Sequence, residues 1–129
     1  MSAACPGLSG DAAVGYHPAA LATLDDFLTL DVRVGTVVAA EVLRGARKPS
    51  YCLQVDFGPL GRRASTAQIT DLYEPAELVG LQVLAVVNLP PRRVAGLDSE
   101  VLVLAVANGK GESVLLIPER PVPDGGKIS

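Results

Sequence analysis

An all-β domain, built as a small barrel of short strands with one helical turn set among them, is the fold class this sequence predicts. Three observations carry the prediction. Hydrophobic residues make up 49% of the 129 residues but aromatics only 4%, so one domain with an aliphatic core is expected. Between Asp31 and Pro118 the apolar residues, many of them β-branched, come in short alternating or continuous runs separated by Gly, Pro and Asn. The period changes once, in "TDLYEPAELVG", and then returns to strand-like sequence at Leu81.

Taken in order, residues 1–23 are rich in Ala, Gly and Pro with no clear period, and read as a flexible N-terminal extension to a domain spanning 24–129. "TLDDFLTL" offers a short helical turn, with Thr23 as N-cap and Asp25 and Asp26 in its first turn. "LDVRVGTVVAAEVL" is the first strand, with Leu30, Val32 and Val34 facing one way and Asp31 and Arg33 the other. Gly35 within it predicts a sharp bend, as a long strand serving two sides of a barrel requires. "RGARKPS" is a loop, and "YCLQVDF" alternates with Leu53, Val55 and Phe57 inward. "GPLG" closes a hairpin onto "RRASTAQI", a short polar strand.

In "TDLYEPAELVG" Pro75 stands at a first helical position and Gly80 at the stop. "LQVLAVVNL" is a buried strand and "SEVLVLAVA" another, joined by the loop "PPRRVAGLD"; "GKGES" turns the chain into "VLLIP" and a Pro-rich tail. Three strands, a helical turn and two strands, followed by an additional C-terminal strand or extended tail, is the order of an OB-fold, a five-stranded Greek-key barrel. That architecture binds oligonucleotides on the face of its second and third strands and in the loops joining strands 1–2 and 4–5.

Charge favours the same use. The net charge is −3, yet seven of the 11 Lys and Arg residues fall in three clusters: Arg44, Arg47 and Lys48; Arg62 and Arg63; Arg92 and Arg93. These occupy the strand 1–2 loop, the strand 2–3 hairpin and the strand 4–5 loop. An acidic molecule with one basic face results. Pro90 and Pro91 stiffen the approach to Arg92 and Arg93, so these arginines are presented rather than left free. Their planar guanidinium forks suit phosphate oxygens, the alternative being ion pairs with Asp98 or Glu100. Arg47 and Lys48 serve phosphate or loop solubility; Arg62 and Arg63 equally protect an edge strand. Arg33 is either a groove residue or a partner of Asp31 or Glu41, Asn88 and Ser99 either contact RNA or cap turns, and Tyr51 either stacks a base or belongs to the core.

Catalysis has little to build on. His17 is the single histidine, and Cys5 and Cys52 have no neighbour at metal-ligand spacing, so no catalytic residue, metal site or cofactor is expected. "ANGKGES" lacks the spacing of a phosphate-binding loop. Two cysteines in unrelated contexts fit a reducing cytoplasm rather than a disulfide framework. No basic stretch followed by an apolar run opens the chain, and "VLVLAVA" is too short to span a bilayer, so neither export nor membrane contact is expected.

The motifs "LDVRVGTV", "ARKPSYCLQVDFG", "STAQIT", "VVNLPPRRVAGLDSEVLVL" and "RPVPDGGKI" together resemble the tRNA-binding-domain family, and within it the small stand-alone CsaA-type proteins. The resemblance covers Asp25 to Ile128. It implies a non-catalytic OB-fold homodimer that binds tRNA or other structured RNA, and by position it places Arg33, Arg47, Lys48, Gln68, Asn88, Arg92, Arg93, Ser99 and Glu100 along the groove. The CsaA-type branch also implies an alternative, an export-related chaperone binding unfolded or pre-secretory polypeptides in an apolar groove, around Leu89, Val94 and Leu97. Ser99, Glu100, Val101 and Leu102 stand where other members usually have Ser-x-Gly-Met, which favours that branch.

Overall fold

The computed structural model describes residues 20–129. Cys5, His17 and all but the end of the expected extension, residues 1–23, lie outside the described residues.

Thr23 caps α1 (Leu24–Leu28) as expected, and reciprocally: its Oγ1 accepts the Asp26 N–H at 3.1 Å while the Asp26 carboxylate accepts its own N–H at 2.8 Å. β1 (Val32–Val42) follows and serves two partners. Its first half pairs antiparallel with β4 (Gln82–Val86), its second half with β2 (Tyr51–Asp56). The bend this needs comes at Gly35, where a Cβ would stand 2.6 Å from Val55 and 2.7 Å from the Phe57 ring. A register shift between Val37 and Ala39 adds a bulge, so the strand curls around its own core.

β3 (Arg62–Ala67) lies outside β2, and β7 (Leu102–Val103) lies outside β4, giving the order β3-β2-β1-β4-β7. Each end strand is two antiparallel steps from β1, so β3 and β7 meet in parallel to close the barrel. Leu53, Val55 and Phe57 point inward and are fully buried with Val37 and Val83. α2 (Pro75–Leu78) begins at the predicted proline, and Leu78 plugs the core. Gly80, with φ of +95°, stops it, and the Gly80 N–H then donates to the Val37 carbonyl at 2.8 Å.

Two expectations are corrected. The strand 4–5 loop is itself a hairpin of β5 (Arg92–Val94) and β6 (Leu97–Ser99). The segment "SEVLVLAVA" is not one buried strand: after β7 it kinks into β8 (Ala105–Ala107), which is exposed and pairs with β9 (Ser113–Leu115). The kink has a cause in hydrogen bonding, since this stretch serves several partners in turn. Glu100 and Val101 donate to the Ala64 carbonyl of β3, Leu104 donates to the Leu84 carbonyl within β4, and the Leu104 carbonyl accepts from Leu116.

The tail forms the additional extended segment. Residues 125–128 run along the free half of β1, with Gly125 N–H donating to Val34 O at 2.7 Å and Ile128 N–H to Val32 O at 2.9 Å. Gln82 clamps the approach by exchanging hydrogen bonds with the Val122 backbone, and the Thr36 hydroxyl donates to Asp124 at 2.7 Å.

Candidate nucleic-acid interface

The β1–β2 loop is closed at its base by the Leu43 N–H donating to the Ser50 carbonyl, and inside by the Ser50 hydroxyl donating to the Lys48 carbonyl. That leaves Arg47 and Lys48 exposed on its outer turn. The β5–β6 hairpin turns at Ala95 and Gly96, both at positive φ, the geometry of a type I′ turn. Its tip reaches the β1–β2 loop, since a Cβ at Gly45 would stand 4.0 Å from that of Ala95. Between the two lies a cavity of about 370 Å³ lined by Arg47, Lys48, Gln68, Arg93 and Val94. Two of the three basic clusters therefore converge.

Arg93 and Arg92, adjacent on one strand, point to opposite faces. Arg93 borders that cavity and its Nη1 stands 3.0 Å from the Asp98 carboxylate, with both groups exposed. An ion pair so open to water is worth well under about 1 kcal/mol, so a phosphate can replace the carboxylate. Arg92 borders a second cleft, of about 470 Å³, between the end of β3 and β7–β8. Ser50, Gln68 and Val94 line both spaces, which makes them one continuous groove.

The third basic cluster does not join them. Arg62 and Arg63 sit at the opposite end of β3 from Gln68, roughly 15–20 Å away at the rise of an extended strand. Four other residues named by resemblance are engaged in the frame. The Arg33 guanidinium contacts the Asp31 carboxylate at 2.6 Å and donates to Gly125 O at 3.0 Å. Its hydrogen bond holds the Asp31 carboxyl below the usual carboxylate range. Asn88 ties the end of β4 to the start of β1, accepting the Asp31 N–H and donating to Thr29 O, each at 2.8 Å. The Ser99 hydroxyl accepts the Thr66 N–H at 3.0 Å, and Glu100 accepts the Ala64 N–H at 2.9 Å.

Tyr51 belongs to the core: its ring is buried and its hydroxyl donates to the Tyr73 carbonyl at 2.7 Å. Burial, then Glu74, raises its pKa. Burial, then Glu41, also pushes the Cys52 thiol up, which keeps it protonated at neutral pH. Val94 and Leu97 are half-buried cross-strand partners in the hairpin, while Leu89 lines an adjoining cavity of about 130 Å³ that shares Arg92 and Leu102 with the second cleft. Among the described residues no three His, Cys, Asp or Glu side chains gather as a metal site would, and no helix is long and apolar enough to cross a membrane.

Residues 32–127 match the model of a family described as "Putative tRNA binding domain". Among solved structures, the chaperone CsaA of Bacillus anthracis is 54% identical with a TM-score of 0.81, over 85% of this chain and all of that one. The CsaA chaperone protein of Picrophilus torridus is 41% identical with a TM-score of 0.79, over 84% of this chain and all of that one. The methionine–tRNA ligase of Methanothrix thermoacetophila is 45% identical over 101 residues, 78% of this chain but 14% of the ligase. The chain thus spans only about 15% of the length of the curated ligases it matches. The nearly closed five-stranded barrel, the ordered motifs from Val32 to Lys127 and these likenesses agree: the chain belongs to the tRNA-binding-domain family.

Proposed function

We propose that the chain is a non-catalytic tRNA-binding protein that holds structured RNA in the groove between the β1–β2 loop and the β5–β6 hairpin. The observation that carries this is the gathering of Arg47, Lys48 and Arg93 around one cavity, with Arg92 on the continuation of the same groove. Arg33, Asn88, Ser99 and Glu100 keep the frame that positions it. Phosphate neutralisation supplies most of the affinity, and in this role the protein works as a homodimer in the cytoplasm.

With roughly four phosphates engaged, log K for tRNA falls with log salt at a slope of about −3 to −4. Arg92→Ala with Arg93→Ala weakens tRNA binding and flattens the slope by roughly 1.5–2 units, at the same scaling per contact. Salt-titrated binding of both proteins to tRNA tests this; an unchanged slope in the double variant counts against it.

The likeness to two CsaA chaperones favours one second role, binding of unfolded polypeptide. It requires weak salt dependence and loss of client binding when Val94 or Leu97 is made polar. An aggregation-suppression assay on the same variants separates the two.

A further inference from the structure

The seam where β3 and β7 meet is zipped at one end and open at the other. At the closed end the Ala64 carbonyl accepts the N–H groups of Glu100 and Val101, at 2.8 and 3.4 Å. The zipper stops there because side chains take the next β3 donors: Glu100 caps the Ala64 N–H and Ser99 the Thr66 N–H. Strand backbones alternate sides, so the groups of Gln68 face the same way as those of Ala64 and Thr66. On the other side Leu104 turns its backbone toward Leu84 and Leu116, which leaves the N–H and C=O of Val103 and Ala105 facing the seam. Val103 opposite Ala85 and Ala105 opposite Leu115 alternate with the bonded pairs Leu104–Leu84 and Leu104–Leu116, so they stand at non-hydrogen-bonded positions of their ladders, and the backbone of Gln68, beyond the end of β3, likewise makes no bond among the described residues.

Between the two bare edges lies the cleft of about 470 Å³, within the range of small-ligand sites. Its floor is apolar, with Ile69 and Val103 buried, and hydroxyls of Ser50, Thr66 and Ser113 ring it. Arg92 stands at its mouth, and no carboxylate lines it.

We infer that this open seam takes one unpaired nucleotide of the bound RNA, its base on the apolar floor with an edge against the bare backbone groups, and its phosphate on Arg92. The inference rests on the RNA-binding role and narrows it. A base in a regular duplex is stacked and cannot enter. No aromatic side chain lines the cleft to offer a stacking platform, so recognition falls to the base edge, which fixed N–H and C=O groups read selectively. An extended polypeptide also pairs with bare strand edges, but it gains nothing from a mouth that carries arginine and continues into a cavity with Arg47, Lys48 and Arg93.

Three RNAs with one common stem test this on the full chain: fully paired, with one bulged nucleotide, and with an abasic bulge. The bulged RNA is expected to bind roughly tenfold more tightly than the other two. A bulged 2-aminopurine is expected to change its fluorescence on binding, a readout that needs no variant. Ala105→Phe adds bulk from an exposed position and is expected to erase the tenfold difference between the bulged and the paired RNA. Equal affinity for all three RNAs, with the salt slope intact, overturns the nucleotide site and leaves the RNA-binding role standing. A peptide of alternating apolar residues that binds in an Ala105→Phe-sensitive way, while the three RNAs bind alike, assigns the seam to polypeptide and overturns it too. Failure of every RNA at every salt concentration overturns the role itself, and the site with it.

Discussion

Ala95 is the one non-glycine residue at positive φ among the described residues, at 49°. For an L-residue with a Cβ that conformation costs roughly 1–2 kcal/mol. The hairpin tip bears this because both turn residues must be left-handed if β5 and β6 are to keep their twist. A large residue there would crowd Gly45 on the neighbouring basic loop. Ala95→Gly is expected to stabilise the protein by about 1 kcal/mol, which raises the midpoint by roughly 4 °C, and thermal unfolding checks it. Gly96→Ala shifts the midpoint the other way. Single residues were legible only in part. Arg33, Asn88, Ser99 and Glu100 stand in the right motifs, yet their side chains engage partners as many as 92 positions away in the chain. No local pattern announces such bonds. By contrast, the phase of Tyr51 with Leu53 already pointed to the core, where both lie.

Among the elements, the tail that docks on β1 makes the sharpest demand on sequence. Gly58 and Gly125, at φ of +63° and +89°, pass so closely that a Cβ on Gly125 would stand 2.6 Å from the Phe57 carbonyl oxygen. Gly125→Ala is therefore expected to cost roughly 2–3 kcal/mol, from left-handed strain and backbone crowding together. Denaturant unfolding gives the loss, and hydrogen exchange locates it at the Val34 and Ile128 amides, which bond across the seam between β1 and the tail. Loss without faster exchange there would place the damage elsewhere. Strands with a clear period of two, such as β2, were legible because one face is core and the other is not. The β5–β6 hairpin was not legible as strand: prolines and arginines mask a turn that Ala95 and Gly96 form with little of the usual turn chemistry. The break after β7 was hidden for the opposite reason. "VLVLAVA" is uniformly apolar, and only the succession of partners from β3 to β4 to β9 shows where it kinks.

At the scale of the whole molecule, charge and apolar surface occupy different regions. Acidic residues such as Glu74 and Glu77 cap α2, while the groove collects cations, so an overall charge of −3 is compatible with an attractive face for RNA. Among the described residues the apolar surface has no such partner. α1 buries none of its residues: Leu24 is 71% exposed and Phe27 and Leu28 are each 43% exposed, with Leu30 beside them. A helix of five residues cannot persist on propensity alone and takes its stability from packing. Its capping box fixes where it starts, not what it packs against. A contiguous apolar patch of this kind on a small protein marks an association surface, and a second copy of the same chain across a two-fold axis satisfies it symmetrically. Light scattering at micromolar concentration is expected to give twice the 13.3 kDa chain mass. Phe27→Glu, at an exposed position, is expected to leave the barrel folded by circular dichroism but to shift the mass to that of one chain. A wild-type mass of 13.3 kDa would show that α1 is covered otherwise. A dimeric variant would place the association surface away from Phe27, and the exposed β8–β9 hairpin, with Val106 at its centre, would then be the next to substitute.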